Sequence, residues 1–211
     1  MLLFKSSTIV LALFLLSLTG SALAQKNEIA FLAGQTYNSN QGIRPNGGFS
    51  TTDLSFKKAS AYEVTYARKF FDAKLFSLYL EVPFVASPKI LLDATSGGNP
   101  ALDYSSLYIT PGVRAKLPGI WRLSPWVSAG YGYARFTNSS ARLDGTLNTS
   151  TGSKNSGALQ LGGGLDFRIF KRIGVRGEVR DFYTTVPPLS VSQLQSSAHG
   201  LIYSVGVVLH F

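Results

Sequence analysis

Apolar and polar residues alternate one by one along the final segment of the chain, LIYSVGVVLHF (201–211). Side chains of a β-strand point to opposite faces with a period of two, so every second residue shares a face. One face of this segment is continuously apolar, and the other carries smaller or more polar side chains, among them His210. The segment is therefore predicted to be a β-strand whose two faces meet different surroundings. The apolar face consists of Tyr203, Val205, Val207, Leu209 and Phe211.

Similar alternation recurs along the chain and predicts eight strands in all. Each predicted strand has about 11–14 residues, and a tilted strand needs ~9–11 residues to cross a bilayer. Long and short connections alternate between them, which is typical of a barrel with short periplasmic turns and longer extracellular loops. The sequence thus predicts an all-β fold, an eight-stranded antiparallel up-and-down transmembrane β-barrel. The predicted strands are 27–37, 60–71, 75–86, 105–117, 124–137, 157–169, 172–184 and 200–211.

The beginning of the chain has the pattern of a cleaved signal peptide. Lys5 precedes an apolar run over residues 9–18, and a small-residue cleavage motif ends at Ala24. The apolar run is shorter than the ~20 residues of a spanning helix. We therefore expect residues 1–24 to be a signal peptide and residues 25–211 to form one outer-membrane β-barrel domain. The chain has no cysteine, which excludes a disulfide framework.

Charged residues decide between two barrels with opposite faces. A soluble, lipocalin-like barrel holds its apolar residues inside, whereas a small membrane barrel turns them to lipid and fills its interior with polar groups. Acids and bases share the polar face of the strands, and the apolar face of the strand centres carries none. We therefore predict a membrane barrel with an interior charge network. The network is predicted to contain Glu63, Glu81, Arg114, Lys116, Asp166, Arg168, Arg176, Glu178 and Arg180, and Glu28 lies on the same face.

The remaining charge and the aromatic residues fit membrane interfaces. The net charge is +9, and Arg68, Lys74, Arg122 and Lys171 fall in or beside the predicted short turns, where they can reach lipid headgroups. No basic stripe with interleaved aromatics is present, so nucleic acid is not an expected partner. Aromatics at the strand ends are predicted to form two interfacial girdles. They are Phe70, Phe71, Phe84, Trp121, Trp126, Phe136, Tyr183 and Phe211.

Three stretches of the mature chain, 125–136, 159–184 and 201–211, resemble strands of the small OmpA/OmpX-type outer-membrane β-barrels of Gram-negative bacteria. The resemblance implies a monomer in the cell outer membrane, in contact with outer-membrane lipids and lipopolysaccharide. It also implies periplasmic chaperones and the barrel-assembly machinery as partners during biogenesis. In this family the final strand serves as the assembly signal, here Tyr203, Val205, Val207, Leu209 and the terminal Phe211.

Catalytic chemistry is weakly represented. Some barrels of this type modify lipid A with a serine activated by a histidine, but neither His199 nor His210 is followed by a serine two residues later. His199 with Ser196 or Ser197 is a possible pair, and no metal or cofactor site is expected. We therefore expect a non-enzymatic barrel with a structural or surface-interaction role through four extracellular loops. A narrow channel for ions or small solutes and a lipid A-modifying enzyme are the alternatives.

Overall fold

The computed structural model describes residues 26–38, 41–43, 52–56, 59–94, 102–138, 152–184 and 198–211. The predicted signal peptide, residues 1–24, lies outside this part of the chain. No helix among the described residues is long and apolar enough to cross a membrane. The strands are β1 (Asn27–Asn38), β2 (Gln41–Ile43), β3 (Thr52–Phe56), β4 (Ala59–Asp72), β5 (Ser77–Ala94), β6 (Leu102–Ile109), β7 (Gly112–Lys116), β8 (Leu123–Asn138), β9 (Ser153–Arg168), β10 (Ile173–Thr184) and β11 (Ala198–His210).

Antiparallel pairing between the first and last long strands closes the sheet into a barrel. Phe31 of β1 lies opposite Val207 of β11 on one side and Val64 of β4 on the other. The closed wall comprises β1, β4, β5, the broken strand β6–β7, β8, β9, β10 and β11. The predicted eight-stranded antiparallel barrel is confirmed.

One predicted strand, 105–117, is interrupted where β6 ends and β7 begins. Pro111 lies in the gap and has no N–H to donate to the ladder, although its carbonyl accepts a hydrogen bond from Tyr131 N at 3.1 Å. The amide of Thr110 reaches the carbonyl of Pro83 across the gap at a longer 3.4 Å. The wall therefore remains continuous, and its register is the same on both sides of the gap: Phe84 lies opposite Ile109, and Glu81 lies opposite Gly112.

Strand β5 extends well beyond the predicted range 75–86, to Ala94. Pro88 and Lys89 are exposed in an irregularity of the pairing with β6, and a proline is tolerated at such a position. Above it β3 pairs with β5, and β2 pairs with β3; neither of these short strands was predicted. The 18 residues of β5 span about 60 Å at ~3.3 Å per residue, whereas the apolar band of such barrels is ~25 Å tall. The wall thus projects beyond the bilayer at the end from which the long connections leave, which we call the outer rim.

The apolar face of the strands points outward, as predicted, and the polar face lines the interior. This arrangement excludes the lipocalin-like alternative. The aromatic girdles were predicted wrongly at two positions, because Trp126 and Phe136 are only 2% and 3% exposed and lie in the interior. Both occupy the same strand face as Ser128 and Ala134, so strand parity places them inside despite their position near strand ends. Outward side chains include Phe31, Val64, Leu80, Val82, Val127, Leu161, Leu165, Val179, Val205 and Val207.

Glycines allow β1 and β11 to approach each other closely where the barrel closes. A Cβ atom built on Gly206 would lie 1.9 Å from the carbonyl oxygen of Phe31, and one built on Gly34 would lie 2.0 Å from that of Tyr203. Real Cβ atoms do not approach backbone this closely, so neither position accepts a larger residue without separating the strands. The closure of the barrel therefore depends on these two glycines.

We expect Gly206→Ala to lower the free energy of unfolding by at least about 1–3 kcal/mol, because the new methyl group collides with backbone rather than with an adjustable side chain. Urea unfolding in lipid vesicles, with folded protein counted as the heat-sensitive band on unboiled gels, measures the loss. Gly177→Ala is the matched control, since nothing lies within 4 Å of a Cβ atom there. Equal stability of the two variants would contradict a closure set by close backbone approach.

Candidate functional site

A charged cluster fills the interior near the short turns. Asp166 accepts two hydrogen bonds from Arg176, at 2.6 and 2.9 Å, and a third from Lys116 Nζ at 2.6 Å. Glu28 lies opposite and binds Arg114, with Arg176 and Lys116 each at 3.2 Å. The paired geometry of Arg176 on Asp166 is the strong two-bond form of this interaction. Two carboxylates are thus held by three cations, and all five side chains are buried.

A second cluster lies nearer the middle of the barrel, around Arg180. Its guanidinium group contacts Glu178 at 2.6 Å, Glu81 at 2.9 Å and Glu63 at 3.0 Å. Arg114 Nε lies 3.7 Å from Glu81 and connects the two clusters. A single guanidinium group therefore holds three buried carboxylates from three different strands.

Trp126 lies at the junction of the two clusters, and sequence reasoning missed this role. The guanidinium carbons of Arg176, Arg114 and Arg180 lie 5.1, 5.4 and 5.4 Å from its ring. Its indole N–H donates to Asp166 at 3.2 Å. The negative face of an aromatic ring attracts cations, so Trp126 separates the guanidinium groups while stabilising each. The sequence could have predicted this position, because Trp126 is an even number of residues from Ser128 and Gly130 and so shares their polar strand face.

Arg168 does not join the network, although it shares a strand face with Asp166. As the last residue of β9 it is exposed at the end where the short turns lie, which we call the short-turn rim. Strand parity places Arg168 on the inward face of β9, but at the end of this strand there is no longer a lumen for its side chain to enter. His210 instead faces the cluster, with Nδ1 3.4 Å from Glu28. The network so defined contains Glu28, Glu63, Glu81, Asp166 and Glu178 with Arg114, Lys116, Arg176 and Arg180.

Among the described residues, the interior towards the outer rim holds no buried charged side chain and contains a group of aromatic rings beside buried hydroxyl and amide groups such as Ser106 and Gln160. The Tyr108 ring stacks on Phe182 at 4.3 Å and meets the edge of Phe136 at 5.8 Å, and Tyr104 contacts Phe136 at 6.5 Å. These rings are buried together with Val85, Ile90 and Ile202. The lumen is therefore occupied by two layers, a charged one and an aromatic one.

The two rims differ in chemistry. On the outer side, outward tyrosines are hydrogen-bonded: Tyr133 donates to Asn155 at 2.6 Å and Tyr203 donates to Gln35 at 2.8 Å. The short-turn rim is cationic, and its exposed Asp72 accepts hydrogen bonds from Lys69 and Ser77, which hold the pKa of that carboxyl group below its ordinary value. In addition to Lys69, cations at this rim include Lys26, Arg68, Lys74, Arg122, Arg168, Lys171 and Arg172.

The predicted assembly strand and the candidate histidine also have definite positions. Tyr203, Val205, Val207, Leu209 and Phe211 lie on the outward face, and Phe211 exchanges two 2.9 Å backbone hydrogen bonds with Asn27 at the closure. A role as assembly signal stays a prediction. His199 Nδ1 lies 3.0 Å from Asp181 on the outside of the wall near the outer rim, with Tyr183 against its ring. Its proposed partners Ser196 and Ser197 lie outside the described residues.

Nothing in the described part of the chain groups three His, Asp or Glu residues in a geometry that could hold a metal ion. Each network carboxylate is buried and contacts at least one cation. What this arrangement does chemically is to pair charges within a narrow lumen and to link the strands that carry them.

We expect Arg180→Gln to lower the free energy of unfolding by roughly 3–5 kcal/mol, because it leaves three buried carboxylates without their shared cation. Adding Glu178→Gln should recover part of the loss by removing one of those carboxylates. Urea unfolding in vesicles measures both. Arg168→Gln removes the same charge from the exposed rim and should change stability by at most about 0.5 kcal/mol. A similar loss in Arg180→Gln and Arg168→Gln would contradict the division between lumen and rim.

No protein-family model and no curated protein matches the sequence. The fold nevertheless matches solved structures. Neisserial surface protein A aligns over 88% of this chain and 97% of its own, with 11% identity and a TM-score of 0.55. OprG from Pseudomonas aeruginosa aligns over 88% and 96%, with 15% identity and a TM-score of 0.51. The outer membrane protein AlkL aligns over 92% and 93%, with 17% identity and a TM-score of 0.52. With its outward apolar belt and occupied lumen, the chain has the fold of the small eight-stranded outer-membrane β-barrels.

Proposed function

We propose that this protein is a non-catalytic barrel with a structural and surface-interaction role at the cell surface, in contact with lipopolysaccharide. The observation that carries the proposal is the occupied lumen. Interlocked ion pairs occupy the half near the short turns, and packed aromatic rings with uncharged polar side chains occupy the other half. A cavity among Lys116, Asp166 and His210 has a volume of about 10 Å³, which is room for about one water molecule.

The outer rim supports a surface role. The extension of β5 with β3 and β2 continues hydrogen-bonded sheet beyond the barrel wall, which gives the long connections a fixed base. Binding residues are commonly carried by loops that a rigid scaffold positions. Such a base would cost little ordering entropy on binding, since its backbone is already paired.

Contact with lipopolysaccharide is supported by the outward chemistry just above the apolar belt. Arg135 is exposed on the outer face of β8, two residues beyond Tyr133 on the same face. A tyrosine at the interface with a cation above it suits a lipid whose phosphates lie over its acyl chains. We therefore propose Arg135 as a contact for these phosphates.

The channel alternative predicts conductance, and our proposal predicts that the purified barrel gives no steady single-channel current in a planar bilayer. The physical reason is that a permeating ion would have to break the buried pairs around Arg180 and then pass the ring stack of Tyr108 and Phe182. The double variant Phe182→Ala/Tyr108→Ala tests whether the measured current depends on the aromatic layer, because it should open only that layer of the lumen. Steady current through the unmodified protein would overturn the closed-lumen proposal.

The enzymatic alternative, His199 with Ser196 or Ser197, gains support from Asp181, because a carboxylate on Nδ1 orients an imidazole as a base. We propose a structural role for this pair, as an interfacial contact with Tyr183 packed against it. Retained lipopolysaccharide in the purified barrel tests both proposals at once, since its quantity reports binding and its lipid A mass reports catalysis.

We expect Arg135→Gln to reduce co-purified lipopolysaccharide by about two- to fivefold, the value of one headgroup-facing cation. Arg68→Gln, at the opposite rim, is the matched control and should retain it. Lipid A mass should be the same with the unmodified protein, with His199→Gln and without the protein. A mass change that depends on His199 would establish the enzyme, and equal retention by both arginine variants would contradict the Arg135 contact.

A further inference from the structure

Two short turns at the short-turn rim enclose a cleft that the proposed surface role does not use. Its volume is about 520 Å³, and it is lined by Arg122, Arg168, Ile169, Phe170 and Lys171. Three of these side chains are cationic and none is acidic. The nearby carboxylate of Asp166 points into the lumen, where Arg176 and Lys116 bind it. The cleft therefore combines positive charge with apolar walls.

The turn that carries Arg122 is built in an unfavourable backbone conformation. Trp121 has a φ of 62°, in the left-handed region that bulky residues rarely adopt, and no other described non-glycine residue shares this feature. Backbone hydrogen bonds of 2.9 and 3.2 Å between Ile120 and Leu123 hold the turn. The conformation leaves the indole 82% exposed, with the guanidinium carbon of Arg122 5.7 Å from its ring. Backbone strain of this kind persists where the surrounding structure holds it, and it is found more often at ligand-binding and other functional sites.

The second turn is tied to the first. The amide of Arg168 donates to the carbonyl of Arg122 at 2.9 Å, which fixes the two arginines relative to each other. Beyond it, the amides of Ile169 and Phe170 both donate to the carbonyl of Ile173, at 3.1 and 2.9 Å. The cations are thus presented on two ordered turns.

We propose that this cleft binds the headgroup of an anionic phospholipid from the periplasmic leaflet, with its phosphate among Arg122, Arg168 and Lys171. Two paired arginines are suited to phosphate oxygens, and the lysine adds a third positive charge. The exposed rings of Trp121 and Phe170 lie beside the cations, at the position where the glycerol and upper acyl chains of such a lipid continue. A soluble phosphate would use the cations but not these apolar side chains, so the lipid is the occupant that fits the whole cleft.

Trp121 provides a local probe, because the other tryptophan, Trp126, is buried in the lumen. The barrel is reconstituted in vesicles with a fixed fraction of bromine-labelled lipid, either labelled phosphatidylglycerol in unlabelled phosphatidylcholine or the reverse. The Trp121→Phe variant gives the fluorescence of Trp126 alone, which is subtracted from that of the unmodified protein. We expect labelled phosphatidylglycerol to quench Trp121 at least about threefold more than labelled phosphatidylcholine, a preference within reach of a few headgroup-facing cations.

Two triple variants separate a built site from general surface charge. Arg122→Gln/Arg168→Gln/Lys171→Gln should bring the quenching ratio to about one. Lys26→Gln/Arg68→Gln/Lys74→Gln removes the same charge from the same rim outside the cleft and should keep most of the preference. Folding of both variants is checked by the band of folded barrel on unboiled gels. We expect both to fold, because all six side chains lie outside the interior network.

Two results would overturn the proposal: no preference for labelled phosphatidylglycerol in the unmodified protein, or equal loss of the preference in both triple variants. Binding of inorganic phosphate by the unmodified protein together with the first result would make the cleft a site for free phosphate. These outcomes do not depend on lipopolysaccharide retention at the outer rim, so the two proposals can fail separately.

Discussion

A backbone surrounded by hydrocarbon has no water to hydrogen-bond, so every strand in a membrane must find a partner on both sides. Here that requirement is met by the pairing of β1 with β11, and closure on only eight strands has a second consequence. The enclosed space is too narrow for bulk water, so polar side chains directed inwards must satisfy one another. The ion pairs around Arg176 and Arg180 are therefore a result of closure as much as a contribution to it.

The lumen solves this packing problem differently at its two ends. Near the short turns the guanidinium groups are spaced by Trp126, so that repulsion between cations is reduced by one aromatic face. Towards the outer rim the stacked rings of Tyr108 and Phe182 occupy the lumen, and no charged side chains are required there. Glu28 is the carboxylate with most cationic neighbours, and His210 lies beside it as a further hydrogen-bonding group. The charged half links strands that are distant in sequence, which makes it suited to fixing their register.

Much of this could be predicted from the sequence, because a period of two is a property of the backbone and does not depend on tertiary contacts. Parity placed Glu63, Arg114 and Arg176 on one face, and the location of charge identified that face as the interior. Parity has no information about height, which is why Arg168 was assigned to the network although it lies beyond the lumen. Aromatic residues at strand ends were read as interfacial from their type, and this reading failed for Trp126 and Phe136, whose face was decided by parity. The extension of β5 past Pro88 was hidden because an irregularity in pairing accommodates what looks like a strand-ending residue.

The two rims show that residues outside the lumen follow a different rule from those within it. Inside, each cation is matched by carboxylates, because an unmatched buried charge would cost several kcal/mol. At the short-turn rim Asp72 is bound to Lys69, while Arg122, Arg168 and Lys171 gather around a cleft with no acidic lining residue. Like charges so gathered repel one another and contribute nothing to closing the barrel, and the turn at Trp121 adds backbone strain. An arrangement unfavourable for the barrel alone becomes favourable if an anion from outside the protein supplies the missing charge, and the anion that also covers exposed aromatic rings is a phospholipid.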